Sequence, residues 1–351
     1  MRKLATIQEI SALLPIEGAD AIELALILGW QTVVKKGEFQ VNDKVVFVEV
    51  DAWVPLAIAP FLQKGDKVRT FEGIEGNKLK TIKLRGQLSQ GLVLPLNSLP
   101  DYAVGNLVEM LMQDQDIVDT EVTEYLGIVK WELPEFTGGG IKGMRQAGTF
   151  PSEFPKTDQT RYQNIRDKEI QEWIDKGYTF EVTEKLEGSS CTAGMLDGKF
   201  FVASRNMLLE RDDNNAFWKA VNASGLEKFM RELNLDNLAF QGELIGPGIQ
   251  GNIYELKDYT WRIFDIVNTR HEYFNSDARR FLMPDSVQHS PIIANNFHAE
   301  ELLNRAKMLN AADGISLITP KTLREGLVFK CNEDPSISFK IVSNKYLLNQ
   351  K

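Results

Sequence analysis

Phe180-Glu181-Val182-Thr183-Glu184-Lys185-Leu186-Glu187-Gly188-Ser189-Ser190 is the stretch on which the reading of this chain turns. It predicts a strand from Tyr178 to Lys185, a tight turn at Gly188 and a second strand from Cys191, with Lys185 at the lip of a hairpin. Glycine at the turn implies a positive φ or a close backbone approach. A lysine at that lip contributes little to packing and suits chemistry. Lys-x-x-Gly alone recurs by chance, however, and an exposed lysine beside a turn is its ordinary explanation. The rest of the chain has to decide.

A chain of 351 residues accommodates two domains, and 43% hydrophobic with 25% charged residues is a globular composition. No apolar run is long enough to span a membrane, and Met1-Arg2-Lys3 does not lead into a signal-like stretch. A soluble, cytoplasmic monomer is expected. Cys191 and Cys331 are too few for a disulfide framework and lack metal-ligand spacing, so both are expected as reduced core residues. His271, His289 and His298 show no zinc-ligand spacing either. The net charge of −9 argues against nonspecific coating of nucleic acid, while leaving room for a local basic surface.

From Leu4 to about Leu96 the pattern is short strands between turns. Ile22–Leu28 and Trp30–Lys35 flank Gly29, Val45–Val50 is an apolar strand, Lys78–Leu84 alternates, and Gly91-Leu92-Val93-Leu94-Pro95 closes the series. Such a series suggests a small β-barrel of OB type, and residues 1–115 are assigned to it. Between Lys64 and Arg85, seven basic residues outnumber three acidic ones. They form either a solvated hairpin or a surface that meets a phosphate backbone or nucleotide. Residues 116–148 are expected as linker: the acidic run Asp114-Gln115-Asp116 to Glu124, then Pro134, Gly138-Gly139-Gly140, Gly143 and Gly148. Residues 149–351 form the second domain, with Asp158 as the expected N-cap of a helix carrying Tyr162, Ile165, Ile170, Trp173 and Ile174.

In that domain further strands are predicted at Phe200–Ser204, Leu238–Gly246, Tyr259–Val267, Glu325–Lys330 and Ser338–Val342, with helices at Asn215–Leu233 and His298–Leu309. Lys185, Glu243, Glu325 and Lys340 place charges in apolar strand surroundings. Burying unpaired charges costs several kcal/mol, so four of them, two of each sign, point to a shared polar groove. That pattern suits metal-assisted phosphate chemistry. Lysine attacks phosphorus only when neutral, and its reference pKa near ~10.4 must fall for that. A second lysine and a divalent cation would lower it, and two carboxylates could hold the cation.

Lys185-Leu186-Glu187-Gly188, Ser204-Arg205-Asn206, Glu243 in Gln-Gly-Glu-Leu, Phe264 in Arg-Ile-Phe-Asp-Ile, Glu325-Gly326-Leu327-Val328 and Phe339-Lys340 follow one another in this order. The series resembles the nucleotidyltransferase motifs of polynucleotide ligases and mRNA-capping enzymes. The run from Phe150 through Arg161 and the ending Phe339 to Leu348 look like ATP-dependent RNA ligases that carry an N-terminal OB domain. The resemblance implies an α+β fold: an OB-like barrel, then a mixed α/β ligase domain of ATP-grasp-like type with antiparallel sheets. It implies ATP and Mg2+ or Mn2+ as cofactors, and RNA, as a nicked duplex or as ends, as the partner. Only about ten residues follow Lys340, which leaves no room for the C-terminal OB domain of DNA ligases and capping enzymes.

Carried over by the resemblance, Lys185 forms a lysyl-AMP, and Glu184, Glu187, Gly188 and Arg205 lie against the nucleotide. Phe264 stacks on adenine, Glu243 and Glu325 organise the ribose and a metal, and Lys340 meets the α-phosphate. Relatives place a second lysine two positions on, where this chain has Val342. Either Lys345 takes that role or one lysine suffices. Ser190 stands where some relatives have Asn. The implied activity is joining of 3′-hydroxyl and 5′-phosphate RNA ends. A capping-type guanylyltransferase and a non-catalytic RNA-binding protein are the alternatives.

Overall fold

A computed structural model describes residues 3–63, 65–132 and 144–349. The chain divides into two compact units: Met1–Leu133 with Gln163–Arg166, and Pro134–Tyr162 with Asp167–Lys351. Among the described residues, no helix is long and apolar enough to cross a membrane.

The first unit is built of short strands because turn residues interrupt every apolar run. Ala5–Glu9, Lys44–Val48 and Leu92–Leu94 form one antiparallel sheet; Ala12–Pro15, Ile22–Ile27 and Trp30–Lys35 form a second. A four-stranded sheet joins Val129–Lys130, Ala52–Pro55, Ile74–Lys78 and Thr70–Phe71. The expected single strand Lys78–Leu84 is broken. Leu79 is buried and ties to Ala52 and Asp51 through its backbone, whereas Ile82–Leu84 leaves to pair with Gln87–Ser89 in a separate ribbon. Residues 116–132 are also not a linker. Ile117, Val122, Leu126 and Ile128 join the core with Ala103 and Leu107 of the helix Asp101–Met112, and Val129–Lys130 adds a strand. Their acidic neighbours face water while the apolar positions between them pack. Lys64, Pro134, Gly138-Gly139-Gly140 and Gly143 lie outside the described residues.

In the second unit the principal strands are β1 (Thr179–Lys185), β2 (Ser189–Leu196), β3 (Lys199–Ala203), β4 (Leu238–Ile245), β5 (Thr260–Asn268), β6 (Ile292–His298), β7 (Gly326–Cys331) and β8 (Ser338–Val342). A seven-stranded sheet runs Gln146–Thr149, Met207–Leu209, β3, β2, β4, β5, Gln288–His289. Gly148 is therefore in a strand, not a linker. A five-stranded sheet runs Thr160–Arg161, β8, β7, β1, β6. One face of the first sheet packs on the helices Ala216–Ser224 and Leu226–Glu232, burying Phe217, Trp218, Phe240 and Ile263. The second sheet buries an aromatic stack: Phe329 and Phe339 lie 4.9 Å apart and nearly parallel, with Trp173 stacked 5.8 Å from Phe339.

The predicted hairpin at Lys185 does not exist. β1 pairs with β6 and β7 in one sheet, while β2 pairs with β3 and β4 in the other. Leu186, Glu187 and Gly188 carry the chain between them. The helix expected from Asp158 begins only at Asp167, after a short strand and a turn at Tyr162–Asn164, and Asp158 pairs with Lys340 instead. The helix Asn215–Leu233 is two helices, divided where Gly225 takes φ +69°. His298–Leu309 resolves into the end of β6, a 3-10 turn over Ala299–Leu303 and a helix Arg305–Ala312.

Candidate active site

Strand alternation decides which charges meet. In register, Lys185 pairs with Gly326 and that with Val342, while Thr183 pairs with Val328 and that with Lys340. Residues two apart on a strand share a face, so Lys185 and Lys340 project from the same face of the five-stranded sheet. Glu325 immediately precedes β7, and its Oε1 lies 2.6 Å from Lys185 Nζ. Lys340 Nζ lies 3.4 Å from Asp158 Oδ1.

Across the crossing, Glu243 pairs in register with Ser190 and Arg262. Its carboxyl is pushed up to about 7, first by burial and then by the Glu325 carboxylate; Lys185, Arg205 and the Gly188 N–H oppose the shift. Lys185, Arg205, Glu243 and Glu325 thus form one electrostatic group. Gly188 is required here for space. Its φ is not positive, but a Cβ would sit 2.3 Å from the Leu244 carbonyl oxygen and 2.8 Å from Glu243 Cγ. This close approach is what lets the Gly188 N–H reach the Glu243 carboxylate.

Glu187 is half-buried, its N–H donating to Tyr254 Oη at 2.7 Å. Burial raises its carboxyl pKa, the Tyr346 hydroxyl that bonds it lowers it, and Glu325 raises it again. Phe264 occupies a β-bulge. The β4–β5 ladder passes from Gln241–Asp265 to Gly242–Ile263, leaving Phe264 without a partner opposite and half-exposed. Bulges re-aim side chains, and a half-exposed aromatic amid core positions is available to a flat ligand. Thr157 and Ser190 share a hydroxyl–hydroxyl hydrogen bond of 2.9 Å, which ties Ser190 to the segment that precedes the strand Thr160–Arg161.

Two expected residues are not brought to this group. The carboxylate of Glu184, beside Lys185 in sequence, points to the opposite sheet face and is 1% exposed. It accepts hydrogen bonds from Ser316 Oγ at 2.5 Å and Leu317 N at 2.6 Å, so it supports a loop. Lys345 lies on the helix Asn344–Asn349, is 67% exposed and stands 3.8 Å from Asp313 Oδ2.

A second ionic cluster went unread in the sequence. Glu181 on β1 is held by Arg279 and, at 2.5 Å, by Arg280; Lys330 on β7 pairs with Asp265 on β5. Arg279 Nε donates to His289 Nε2 at 3.1 Å, which leaves His289 Nδ1 to donate to the Ser290 carbonyl. Burial and Arg279 push His289 down to about 4. Because Glu181 and Lys330 belong to one sheet and Asp265 to the other, the cluster fastens the two sheets together near the bulge of Phe264. The available signal was Glu181 itself, a carboxylate inside an apolar strand.

No group of three or more His, Cys, Asp or Glu side chains is placed to hold a metal ion among the described residues. Glu243 and Glu325 are nevertheless a crowded acid pair sharing one ammonium. Such a pair fits a hard divalent cation that takes its other ligands from phosphate oxygens and water, the habit of Mg2+.

An OB-fold domain family matches residues 4–96, and the RNA ligase family matches residues 178–346. No curated protein matches the chain. Among solved structures, an apo variant of Naegleria gruberi RNA ligase is 39% identical, covers 99% of this chain and 98% of its own, and superposes with a TM-score of 0.84. A lysine-to-alanine variant of that ligase with ATP and Mn is 39% identical over 98% of each chain, at 0.83. A glutamate-to-alanine variant with AMP and Mn is 39% identical over 99% of this chain and 98% of its own, also at 0.83. With an OB-fold first unit, a lysine-bearing strand crossing and 39% identity sustained over nearly its whole length, this chain belongs to the RNA ligase family.

Proposed function

We propose that the protein is an ATP-dependent RNA ligase that joins 3′-hydroxyl and 5′-phosphate RNA ends, in a nicked duplex or free, through lysyl-AMP at Lys185. The observation that carries this reading is the grouping of Lys185, Glu325, Glu243 and Arg205 where the chain crosses between sheets. Complexes of the Naegleria enzyme with ATP and Mn support ATP as the donor. All residues of the group come from one chain, so a monomer suffices.

In the first step Lys185, released from its ion pair with Glu325, gives its ammonium proton to water, and the neutral amine gives its lone pair to the α-phosphorus. The bond to the bridging oxygen breaks, pyrophosphate leaves, and the nitrogen now bonded to phosphorus gives its second proton to water. Lys340 and Arg205 place positive charge near the phosphate and ribose, and Phe264 offers its face to the base. A divalent ion held by Glu243 and Glu325 would supply charge neutralisation at the phosphates. In the second step the adenylate passes to a 5′-phosphate, and in the third a 3′-hydroxyl displaces AMP. Each is an in-line displacement, so positioning and electrostatics dominate over acid–base work.

Incubation with ATP labelled at the α-phosphate should give an acid-stable adduct that Lys185→Ala abolishes. Equal labelling of the variant would remove Lys185 as nucleophile. Preferential labelling by GTP would move the protein to the capping-type guanylyltransferases, and no labelling by either nucleotide would favour an RNA-binding protein without catalysis.

A further inference from the structure

From Gly76 to Pro100 the sequence contains no acidic residue, yet it carries Lys78, Lys80, Lys83 and Arg85, in a chain whose net charge is −9. The fold separates these four. Lys78 is half-buried, stands 3.7 Å from Asp51 and lies 3.5 Å over the Trp131 ring, so it serves the first unit's own sheet. Lys83 and Arg85 belong to the ribbon that leaves that sheet, and Lys80 lies on the connection that leads into it. Ile82–Leu84 pairs with Gln87–Ser89 alone, through a two-residue turn in which Arg85 and Gly86 take φ +49° and +81°. Positive φ at both central positions matches the type I′ turn, whose twist suits a regular hairpin.

The ribbon is anchored at its root and bare at its tip. Ser89 Oγ accepts from Val33 N at 3.0 Å, Gln90 N donates to Gln31 O at 2.7 Å, and Thr32 Oγ1 donates to Gln90 O at 2.7 Å. Ser89 and Gln90 are buried, whereas Lys80 and every residue from Ile82 to Gly86 are exposed. Ile82 and Leu84 are 41% and 38% exposed where a structural strand would bury them. Among the described residues, Lys80, Lys83 and Arg85 have no carboxylate partner.

We propose that this ribbon is an RNA-binding arm: Lys83, with Lys80 at the root and Arg85 in the turn, meets backbone phosphates, and Ile82 and Leu84, which alternation places on the strand's other face, pack on the ribose and base surface of an RNA drawn across the ribbon's edge. The proposal rests on the ligase reading for its choice of polyanion. An ordered hairpin that holds three unpaired cations and two bare aliphatic side chains in fixed register complements a chain of evenly spaced phosphates on an apolar spine. Its aliphatic residues are not aromatic stacking platforms, so the arm binds without reading sequence.

The test uses the full-length protein and a 5′-phosphorylated RNA, with affinity measured by fluorescence anisotropy across a salt series. Lys80→Ala/Lys83→Ala/Arg85→Ala should weaken binding by about tenfold or more near 100 mM salt. It should also flatten the dependence of log K on log salt by about 2 to 3, because each phosphate left without its cation removes about one unit of slope. Ile82→Ser/Leu84→Ser should weaken binding with the salt slope unchanged. Self-adenylation with ATP should persist in both variants, which also shows that they are folded. Wild-type affinity and salt slope in the triple variant would overturn the arm. A wild-type chain that binds RNA through the ribbon but takes up no AMP would overturn the ligase reading and leave the arm standing.

Discussion

Glu243 is the residue whose protonation the fold alters most usefully. Its folded value of about 7 lies above the 4.5 of an ordinary glutamate, so the folded protein holds this proton more tightly than the unfolded chain. The resulting stabilisation is complete below pH 4.5 and is lost as pH rises through about 7. In the presence of a chelator, the wild-type melting temperature should therefore fall across that window relative to Glu243→Gln, whose profile should be flatter. Parallel profiles would mean that Glu243 is not raised. Lys185, Glu243, Glu325 and Lys340 were legible as charges set among strand-forming apolar residues. The side chains of Glu184 and Lys345 stand apart from that group for a simple reason. Sequence neighbours of a functional residue point the other way on a strand, and a lysine five residues beyond Lys340 has already entered a helix that faces Asp313.

At the scale of elements, the crossing from β1 to β2 was misread as a hairpin because both strands and the turn residue look alike in either arrangement. The choice is made by partners far along the chain: β4 for β2, and β7 for β1. Gly188→Ala tests the crossing directly. Its Cβ would press on the Leu244 carbonyl, a backbone atom that cannot rotate aside. The variant should lose about 1–3 kcal/mol in urea unfolding. Unchanged stability would show that the crossing is looser than described. The ionic fastening of the two sheets gives a second expectation. Arg279 is fully buried, and Arg279→Met strips Glu181 of one of its two guanidinium partners. Removing one member of a buried pair costs about 3–5 kcal/mol, and unfolding measurements should find a loss of that order. A neutral effect would reduce the cluster to packing. Only tertiary structure brings Arg279 to its carboxylate, because Glu181 lies almost a hundred residues earlier in the chain.

Across the whole molecule, composition and strand rhythm indicated a barrel followed by a larger mixed domain, but not where the first ends. The acidic stretch after Asp114 hid the apolar positions Ile117, Val122, Leu126 and Ile128, which complete the first unit's core. Even Gln163–Arg166, far along the chain, belongs to that unit, with Asn164 Oδ1 accepting from Trp30 Nε1 at 2.6 Å and Arg166 2.6 Å from Asp119. No local signal marks such a return. What unites the barrel, the crossing and the charged group is the claim that Lys185 takes up AMP. Intact-mass measurement of the full-length protein after incubation with ATP and a divalent cation tests that claim most directly. The expected result is a gain of one adenylate, located at Lys185 by peptide mapping and absent in Lys185→Ala. An unchanged mass, or an adenylate found on another residue, would contradict it.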